Sequence, residues 1–431
     1  MSEARTPATP QPKILQKMLL RFAIGLFLMA GLFFGYQWLR DRGEDLDFGT
    51  ADTAGWLAAI ELLDEGARAV VVLPDGTIRP SPGHTETTVD RDLSWRPDGN
   101  RLFFLSNREG SAFNIYRWNL ASNDVVVRSF GTRSKGRPTF LPPDVPGANE
   151  TALITSGGFV LEYNPRDGST FQVLPPVTKE RLGDQAEGTG ALGQFDALYQ
   201  RLGTAFRAAS WMRRRDQIVA VMTRDIGEVL IVQDLGSRTP PIPVVAGMRI
   251  DFDVNQRNGD VYFTVQDFMF VDERNVPPEF IKDGVATPPF RAAIGRISAP
   301  RNGQPAQPEI LAASIDDETG FVGVRVAPDG SAFLFLTGPA TGNGNITVDS
   351  LSLAPTGGRP IGDRALRLIR GRVFEPSWAP DSQTIAYAKY DEQNKRSIFT
   401  VCRDGSNETN ITKGKGDFAF PLFSPQVGTS R

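Results

Sequence analysis

Short apolar runs recur along most of the chain, and polar segments containing Gly, Pro and Asp separate them. The clearest runs lie at residues 101–105, 332–336 and 384–388, and a second apolar run follows each of them after a polar turn. This pattern is typical of β-strands. The 43 Gly and 32 Pro are spread along the chain, as expected where many short strands need many turns. A chain of 431 residues is too long for one compact core unless repeated units share it. The pattern therefore predicts an all-β repeat protein.

A short phrase precedes each of the three runs. It reads WRPDG at 95–99, VAPDG at 326–330 and WAPDS at 378–382. Pro presets φ at the second turn position, Asp bonds back to the local backbone, and Gly accepts positive φ. We assign the turns to Pro97, Asp98, Gly99, Pro328, Asp329, Gly330, Pro380 and Asp381. A turn repeated at a roughly fixed interval, with strands after it, predicts the blades of a β-propeller.

Degenerate copies of the phrase extend the repeat. They lie at 140–144, 211–216 and 252–260 and bring the number of units to six. A seventh unit is split between the chain ends: residues 417–425 open it, and residues 56–80 supply its other strands. Such a closure removes the exposed sheet edge. We therefore predict a propeller of seven four-stranded blades, with six as the alternative and a helix over 56–63 as the rival interpretation of that segment.

The repeats resemble a known family. Residues 102–110 (LFFLSNREG), 114–120 (NIYRWNL) and above all 376–412, which open with PSWAPDS, look like the blade repeat of TolB-type propellers, a PD40 or WD40-like repeat. The resemblance implies a ring of four-stranded blades around a central channel, in a family whose members are mostly interaction platforms outside the cytoplasmic membrane. The chain departs from the family before the propeller, where an apolar segment stands in place of the α/β domain of TolB. A role in the Tol system therefore does not carry over.

The apolar segment is an uncharged run at 22–39, just long enough to cross a bilayer core as a helix. Basic residues precede it, which favours a cytoplasmic N-terminus and an extracytoplasmic propeller. A cleavable signal peptide is the alternative, although the run is longer than a usual h-region and lacks an A-x-A exit. Aromatic residues at its end favour the headgroup region, and a G-x-x-x-G pattern allows close helix packing. The anchor residues are Phe22, Leu26, Gly31, Gly35, Tyr36 and Trp38.

These features divide the chain into five segments. We predict a disordered cytoplasmic tail at 1–17, a transmembrane helix at 18–40, a linker at 41–54, the propeller at 55–426 and a short tail at 427–431. The ring is closed by 417–425 together with 56–80. The expected location is the cytoplasmic membrane of a bacterium, with the propeller on the periplasmic side.

Candidate chemistry is sparse. His84 and Cys402 are the only residues of their types, so neither an intrachain disulfide nor a Cys/His zinc site can form. Asp251 with Asp253, and the acidic run at 316–318, could line a channel mouth and hold calcium, but their spacing fits no calcium loop and solvation is the simpler interpretation. The arginines at 213–215 fit a solvated charge run, with phosphate or lipid headgroup binding as the alternative. We expect no catalytic residue, no metal and no cofactor.

Two connections between strands are long enough to contact a partner. The first, at 178–206, has apolar residues at helical spacing, so we expect an amphipathic helix near 191–207. It packs on the propeller rim or docks a partner. The second, at 268–290, has a high apolar content for a loop. The candidate contact residues are Phe195, Tyr199, Phe268, Phe270 and Phe280.

These expectations favour a non-catalytic, membrane-anchored scaffold that serves as an accessory subunit of a larger membrane complex. The net charge of −3, without a basic face, makes nucleic acid an unsuitable partner. The alternatives are a propeller enzyme of lactonase or lyase type that uses carboxylates or a metal, and an extracytoplasmic receptor for glycans or peptides.

Overall fold

The computed structural model describes the part of the chain that carries the repeats. The described residues are 51–175, 203, 205–235, 241–269, 271, 281–282, 285–286, 289–299, 308–316, 318–341, 345–357, 361 and 365–426. The predicted tail, the anchor residues 18–40 and most of the linker lie outside them. No helix among these residues is long and apolar enough to cross a membrane.

Twenty-nine strands, numbered in chain order, make up the regular structure of the described residues. The strands of the first half are β1 (Leu57–Leu62), β2 (Ala67–Val72), β3 (Ile78–Pro80), β4 (Asp90–Trp95), β5 (Arg101–Ser106), β6 (Asn114–Asn119), β7 (Asp124–Val127), β8 (Thr139–Phe140), β9 (Ala152–Ser156), β10 (Phe159–Tyr163), β11 (Thr170–Leu174), β12 (Ala205–Trp211), β13 (Gln217–Thr223) and β14 (Glu228–Asp234). Those of the second half are β15 (Ile242–Val254), β16 (Val261–Met269), β17 (Ile281–Lys282), β18 (Val285–Ala286), β19 (Ala292–Ile297), β20 (Pro308–Ser314), β21 (Gly320–Val326), β22 (Ala332–Gly338), β23 (Ser350–Pro355), β24 (Leu366–Arg370), β25 (Val373–Trp378), β26 (Thr384–Tyr390), β27 (Arg396–Cys402), β28 (Thr409–Asn410) and β29 (Asp417–Phe423).

The strands form antiparallel sheets of four. Five sheets have four strands each, and a seven-stranded sheet in the order β12-β13-β14-β15-β16-β19-β20 is shared by two more units through β15. We number the units by their first strand: unit 1 opens with β4, unit 2 with β8, unit 3 with β12, unit 4 with the second part of β15, unit 5 with β21, unit 6 with β25 and unit 7 with β29. The described residues therefore contain seven four-stranded units. A two-stranded hairpin, β17–β18, lies in the second long connection.

β15 serves two units because its pairing passes from β14 to β16 around Gly247–Arg249. Its first part pairs with β14 and its second part with β16, and the pairing register shifts around Met248. Arg249 has φ of +49° there. A Cβ atom on Gly247 would come within 2.3 Å of Val265, so only glycine fits at this close approach. Units 3 and 4 are thus joined without a loop.

Unit 7 contains both ends of the described chain. Its strand order is β29-β1-β2-β3, with β29 antiparallel to β1 in the register Leu57↔Phe423 to Leu62↔Asp417. The segment at 56–63 is accordingly a strand, and the rival helix is wrong. The order is the one that the split of 417–425 and 56–80 predicts.

Seven clusters of buried hydrophobic residues hold the units together, one at each interface between neighbours. Alternate residues of one strand supply different clusters: Leu102 and Phe104 face unit 7, whereas Phe103 and Leu105 face unit 2. A strand that is buried on both faces needs apolar residues at every position. This is the physical reason why the sequence shows continuous apolar runs instead of alternation.

The expected amphipathic helix near 191–207 is wrong where the structure describes it. Residues 205–207 belong to strand β12, and Phe206 packs in the core between units 2 and 3 with an exposed fraction of 5%. Phe206, the last residue of the expected apolar face, is therefore a strand residue. Residues 191–202 lie outside the described residues.

Candidate functional site: the central channel

A cavity of about 480 Å³ lies where the first strands of the seven units meet. Every unit contributes lining residues, and the chemistry-bearing ones, together with one aromatic residue, are Asp92, Arg137, Arg207, Asp251, Asp253, Arg325, Glu375 and Phe420. This volume lies within the range of about 300–1,000 Å³ that is typical of sites for small ligands. The central channel is therefore the principal candidate site.

A repeated β-bulge exposes residues to the channel. In units 1, 5, 6 and 7 the pairing of the first strand shifts by one residue, and the residue at the shift has positive φ. These residues are Asp92, Gly323, Glu375 and Phe420. In units 1, 5 and 6 each of these residues lies four positions before the residue whose backbone N–H closes the following turn. In unit 7, Phe420 lies four positions before Ser424, whose N–H bonds Trp56 O just before β1. Bulges re-aim side chains and are common beside functional sites.

The other three units place different residues at the same position. Counting from the equivalent turn residues gives Ala208 in unit 3 and Asp251 in unit 4. In unit 2, Phe140 pairs with Ala152 as Trp95 pairs with Leu102, and the same count gives Arg137. All three line the channel. One register position, repeated around the ring, thus supplies much of the channel wall.

The carboxylates of the channel are partly bound by the protein. Arg325 donates through Nη1 to Asp251 Oδ2 at 3.0 Å, and this pairing raises the pKa of Arg325. Asp253 accepts the Val326 N–H at 2.8 Å and Glu375 accepts the Phe420 N–H at 2.6 Å. Burial nevertheless raises the pKa of both Asp253 and Glu375, because removal from water disfavours the charged form.

The arginines of the channel differ in their pairing. Arg207 is bidentate to Glu228, with Nε–Oε1 at 2.6 Å and Nη2–Oε2 at 3.0 Å. Arg137 makes no hydrogen bond or ion pair within the described part of the chain, although its side chain is accessible from the channel. Burial among protein atoms lowers the pKa of Arg137 and the nearby charge of Arg325 lowers it further, whereas the charges of Asp92, Asp253 and Asp251 act in the opposite direction. Arg137 is the lining arginine that is available to a ligand.

The repeated turns act in assembly rather than in the channel chemistry. Asp98, Asp329 and Asp381 each accept the backbone N–H two residues on, at 3.0, 2.9 and 2.8 Å. Gly99 and Gly330 have φ near +70°, as expected for these turns. Trp95 Nε1 donates to Leu422 O at 2.9 Å and Trp378 Nε1 to Arg325 O at 3.0 Å. The tryptophan of the phrase thus bonds its unit to the first strand of the preceding one.

A second candidate surface lies on the opposite face from these turns. Because strands alternate in direction, the connection between the second and third strands of a unit and the link to the next unit both lie there. Ile226 and Met248 are 76% and 40% exposed. A Cβ atom at the adjacent Gly227 would lie 3.4 Å from Met248 Sδ and 2.7 Å from Met269 Cε. We call Ile226, Met248, Met269, Phe268 and Phe290 the apolar patch.

The patch extends towards the second long connection. Phe268 donates its N–H to Phe290 O at 3.1 Å, and their rings meet edge to face at 6.0 Å between centroids. Of the proposed contact residues, Phe268 is half-buried and packs against the hydrophobic cluster between units 3 and 4. Phe195, Tyr199, Phe270 and Phe280, like Phe22, Leu26, Gly31, Gly35, Tyr36 and Trp38, lie outside the described residues.

Other candidates have structural partners. His84 Nε2 lies 3.1 Å from both Ala67 O and Thr88 O. The arginine run pairs with carboxylates: Arg213 with Asp144 at 2.9 Å, Arg214 with Asp216 at 2.6 Å, and Arg215 with Glu162. These pairs favour the charge-run interpretation over phosphate binding. Within the described residues, no group of three or more His, Cys, Asp or Glu could hold a metal ion.

No protein-family model and no curated protein matches the chain. Among solved structures it resembles oligogalacturonate lyase in complex with manganese, with 11% identity, 84% of this chain and 86% of that one covered, and a TM-score of 0.50. It also resembles TolB from Acinetobacter baumannii, with 13% identity, 87% of this chain and 68% of that one covered, and a TM-score of 0.46. A third similar structure is the Cps50 (Swd1) β-propeller domain from Myceliophteria thermophila, with 14% identity, 80% of this chain and 95% of that one covered, and a TM-score of 0.46. At such identities the likeness shows the fold alone, an all-β fold of the β-propeller type.

Proposed function

We propose that this chain is a non-catalytic interaction scaffold. Residues 18–40 hold the propeller on the extracytoplasmic side of a bacterial cytoplasmic membrane, and the apolar patch docks it onto another protein of a membrane complex. The patch is the observation that carries the proposal. Propellers host many unrelated activities, so the surface, and not the fold, supports this function.

Two properties of the patch favour a protein partner. Ile226 stands in a turn with 76% of its surface exposed and Met248 is 40% exposed, whereas Met269, Phe268 and Phe290 are half-buried beside them. Contiguous exposed apolar surface marks interaction sites, and Met and Phe are enriched at protein interfaces. The second long connection begins and ends at Phe268 and Phe290, and its sequence is rich in apolar residues. A folded partner with an apolar contact surface fits these features.

Copurification tests the proposal. The full chain, tagged at its C-terminus, is extracted from native membranes in a mild detergent, and the proteins that elute with it are identified by mass spectrometry. We expect stoichiometric membrane subunits. Recovery of the chain without other proteins would overturn the scaffold role. Recovery of the chain in the fraction without membranes would overturn the membrane anchor.

Matched variants locate the surface. Ile226→Lys places a charge in the patch and should reduce recovery of the partner about tenfold, because a buried unpaired charge opposes association. Leu366→Lys is the control, since Leu366 is 45% exposed at the start of β24, at the opposite end of its unit from the patch face. Equal losses in both variants would show that the patch is not the docking surface.

A further inference from the structure

The central channel contains a positive charge, that of Arg137, which no ion pair with a described residue balances and which the scaffold function does not explain. Three arginines and four carboxylates line it. Arg207 is held by Glu228 and Arg325 by Asp251, whereas Arg137 has no ion-pair partner in the described part of the chain. Its side chain is exposed to the channel, so its guanidinium group can form an ion pair with a ligand there. An anionic group of a ligand would supply that partner.

Arg325 supports an anion subsite beside Arg137. After burial, the charge of Arg325 is the next cause of the lowered pKa of Arg137, so the two guanidinium groups repel each other although Asp92, Asp253 and Asp251 partly offset this effect. Arg325 uses Nη1 for both Asp251 and Val324 O, at 3.0 and 2.6 Å. Its Nη2 makes no bond to a described residue and remains for a ligand. A carboxylate between the two arginines would reduce their repulsion and accept charge-assisted hydrogen bonds.

The rest of the channel wall has the opposite sign. Asp92 is exposed to the channel beside Arg137 in the ring, and Glu375 lies across the ring in unit 6. The Phe420 N–H donates to Glu375 Oε2, and the other carboxylate oxygen of Glu375 accepts no hydrogen bond from a described residue. A ligand with a negative charge alone would meet repulsion from these carboxylates. A ligand with one charge of each sign satisfies both sets.

Backbone strain at the same positions is an independent indication. Asp92, Glu375 and Phe420 all have φ between +52° and +55°, a conformation that is costly for residues with a Cβ. Such strain persists where the surroundings hold it in place and is concentrated at ligand sites. Here it belongs to the bulges that direct residues to the channel.

We propose that the channel binds a small zwitterion, of the size of a free amino acid or a short peptide, with its carboxylate at Arg137 and Arg325 and its ammonium group at Asp92 or Glu375. The cavity of about 480 Å³ accommodates a ligand of this size. This site is separate from the apolar patch, so failure of one proposal leaves the other intact.

Calorimetric titration of the full, detergent-solubilised chain tests the site. The probes are the free amino acids and dialanine, with N-acetyl-dialanine and dialanine amide as matched compounds that lack one charge each. We expect at least one zwitterion to bind with a dissociation constant below about 1 mM, and each charge-deleted compound to bind at least about tenfold more weakly. Absence of binding by every zwitterion would overturn the proposal. Equal binding of N-acetyl-dialanine would replace it with a simple anion site.

Variants identify the arginine. Arg137→Gln should weaken zwitterion binding about tenfold to a hundredfold through loss of a charge-assisted bond, and Arg137→Lys should retain part of the affinity. Arg214→Gln, outside the channel, is the control. Arg137→Gln should change the melting temperature little, because Arg137 is exposed to the channel and makes no hydrogen bond to a described residue. Unchanged affinity in a folded Arg137→Gln variant would contradict the assignment.

Discussion

At the scale of single residues, Glu375 combines two unfavourable features. Its φ is +52° and burial raises the pKa of its carboxyl group. A carboxyl group with a raised folded-state pKa binds protons more readily in the folded than in the unfolded chain. The free energy of unfolding therefore falls as pH rises from the unfolded pKa through the folded one. At neutral pH the ionised Glu375 lowers the stability of the fold.

Glu375→Gln should consequently stabilise the protein at neutral pH. The amide keeps an oxygen that can accept the Phe420 N–H and removes the charge. We expect the melting temperature to rise by about 2 °C at pH 7 and the gain to disappear below about pH 4, where the parent carboxyl group is protonated. Thermal unfolding followed by circular dichroism across this pH range measures the effect.

Asp391→Asn provides the control of opposite sign. The hydroxyl of Ser397 donates to Asp391 at 2.8 Å, and this bond, with further bonds from backbone N–H groups, lowers the pKa of Asp391. Its contribution to stability is present above the unfolded pKa and is lost as pH falls through the folded one. Asp391→Asn should therefore destabilise the protein at neutral pH. A gain for Glu375→Gln that stays constant with pH would contradict the electrostatic explanation.

The channel residues could be predicted from the sequence only in part. The sequence offers Asp251 and Asp253 as candidates for a channel mouth but favours solvation as the simpler interpretation, whereas both residues line the channel. Arg137 could not be predicted, because the turn of unit 2 has lost its Asp-Gly signature and the register emerges only from the pairing of Phe140 with Ala152. The channel-lining residue of each unit is found by counting four positions back from the residue that closes its turn. This count requires the pairing register of the first strand in every unit.

At the scale of elements, the tryptophan of the turn phrase links neighbouring units. Trp378 Nε1 bonds Arg325 O across the interface of units 5 and 6. Trp211 occupies the equivalent position in unit 3 and is 1% exposed, but its Nε1 has no partner among the described residues. The same side chain is thus hydrogen-bonded in one unit and unsatisfied in another.

This difference predicts unequal costs for one substitution. Trp378→Phe leaves Arg325 O without its partner, so we expect a loss of unfolding free energy of about 1 kcal/mol from this bond in addition to the packing cost. Trp211→Phe removes an unsatisfied buried donor, which offsets part of its packing cost. Chemical denaturation should show that Trp211→Phe is the milder change, although Trp211 is the more deeply buried residue. The reverse order would show that packing outweighs the hydrogen bond.

The elements themselves were largely predictable, for a physical reason. Strands such as β5, β22 and β26 are buried on both faces and carry a continuous apolar run, and each follows a turn with a Pro-Asp signature. The segment at 205–207 shows the opposite case, because Phe206 continues an apolar pattern of helical spacing in the sequence and yet lies in strand β12. The change of pairing partner inside β15 has no sequence signature beyond Gly247, because it depends on the close approach of Val265 in the partner strand.

At the scale of the whole molecule, a seam of hydrogen bonds joins the first and last described segments to unit 1. Thr53 Oγ1 bonds Gly99 O at 2.9 Å and Ser424 Oγ at 2.7 Å. Gln426 accepts the Thr53 N–H at 2.8 Å and donates to Asp98 O at 2.7 Å. A Cβ atom on Gly99 would lie 2.5 Å from Gln426 Cγ, so glycine permits this approach. The turn of unit 1 is therefore the point at which the ring is closed.

Gln426→Ala should open this seam before the rest of the fold. It removes the bonds to Thr53 and Asp98, and loss of partners for partly buried groups costs about 1–3 kcal/mol. In native-state hydrogen exchange, the amides of β29 and β1 should exchange faster by about tenfold or more, whereas those of β13 and β14, within the continuous sheet of units 3 and 4, should change little. Gln393→Ala, in the exposed turn between β26 and β27, is the matched control and should change neither region. Uniform acceleration across all units would mean that the ring unfolds only as one cooperative body, and protection unchanged in β29 and β1 would mean that strand pairing alone closes it.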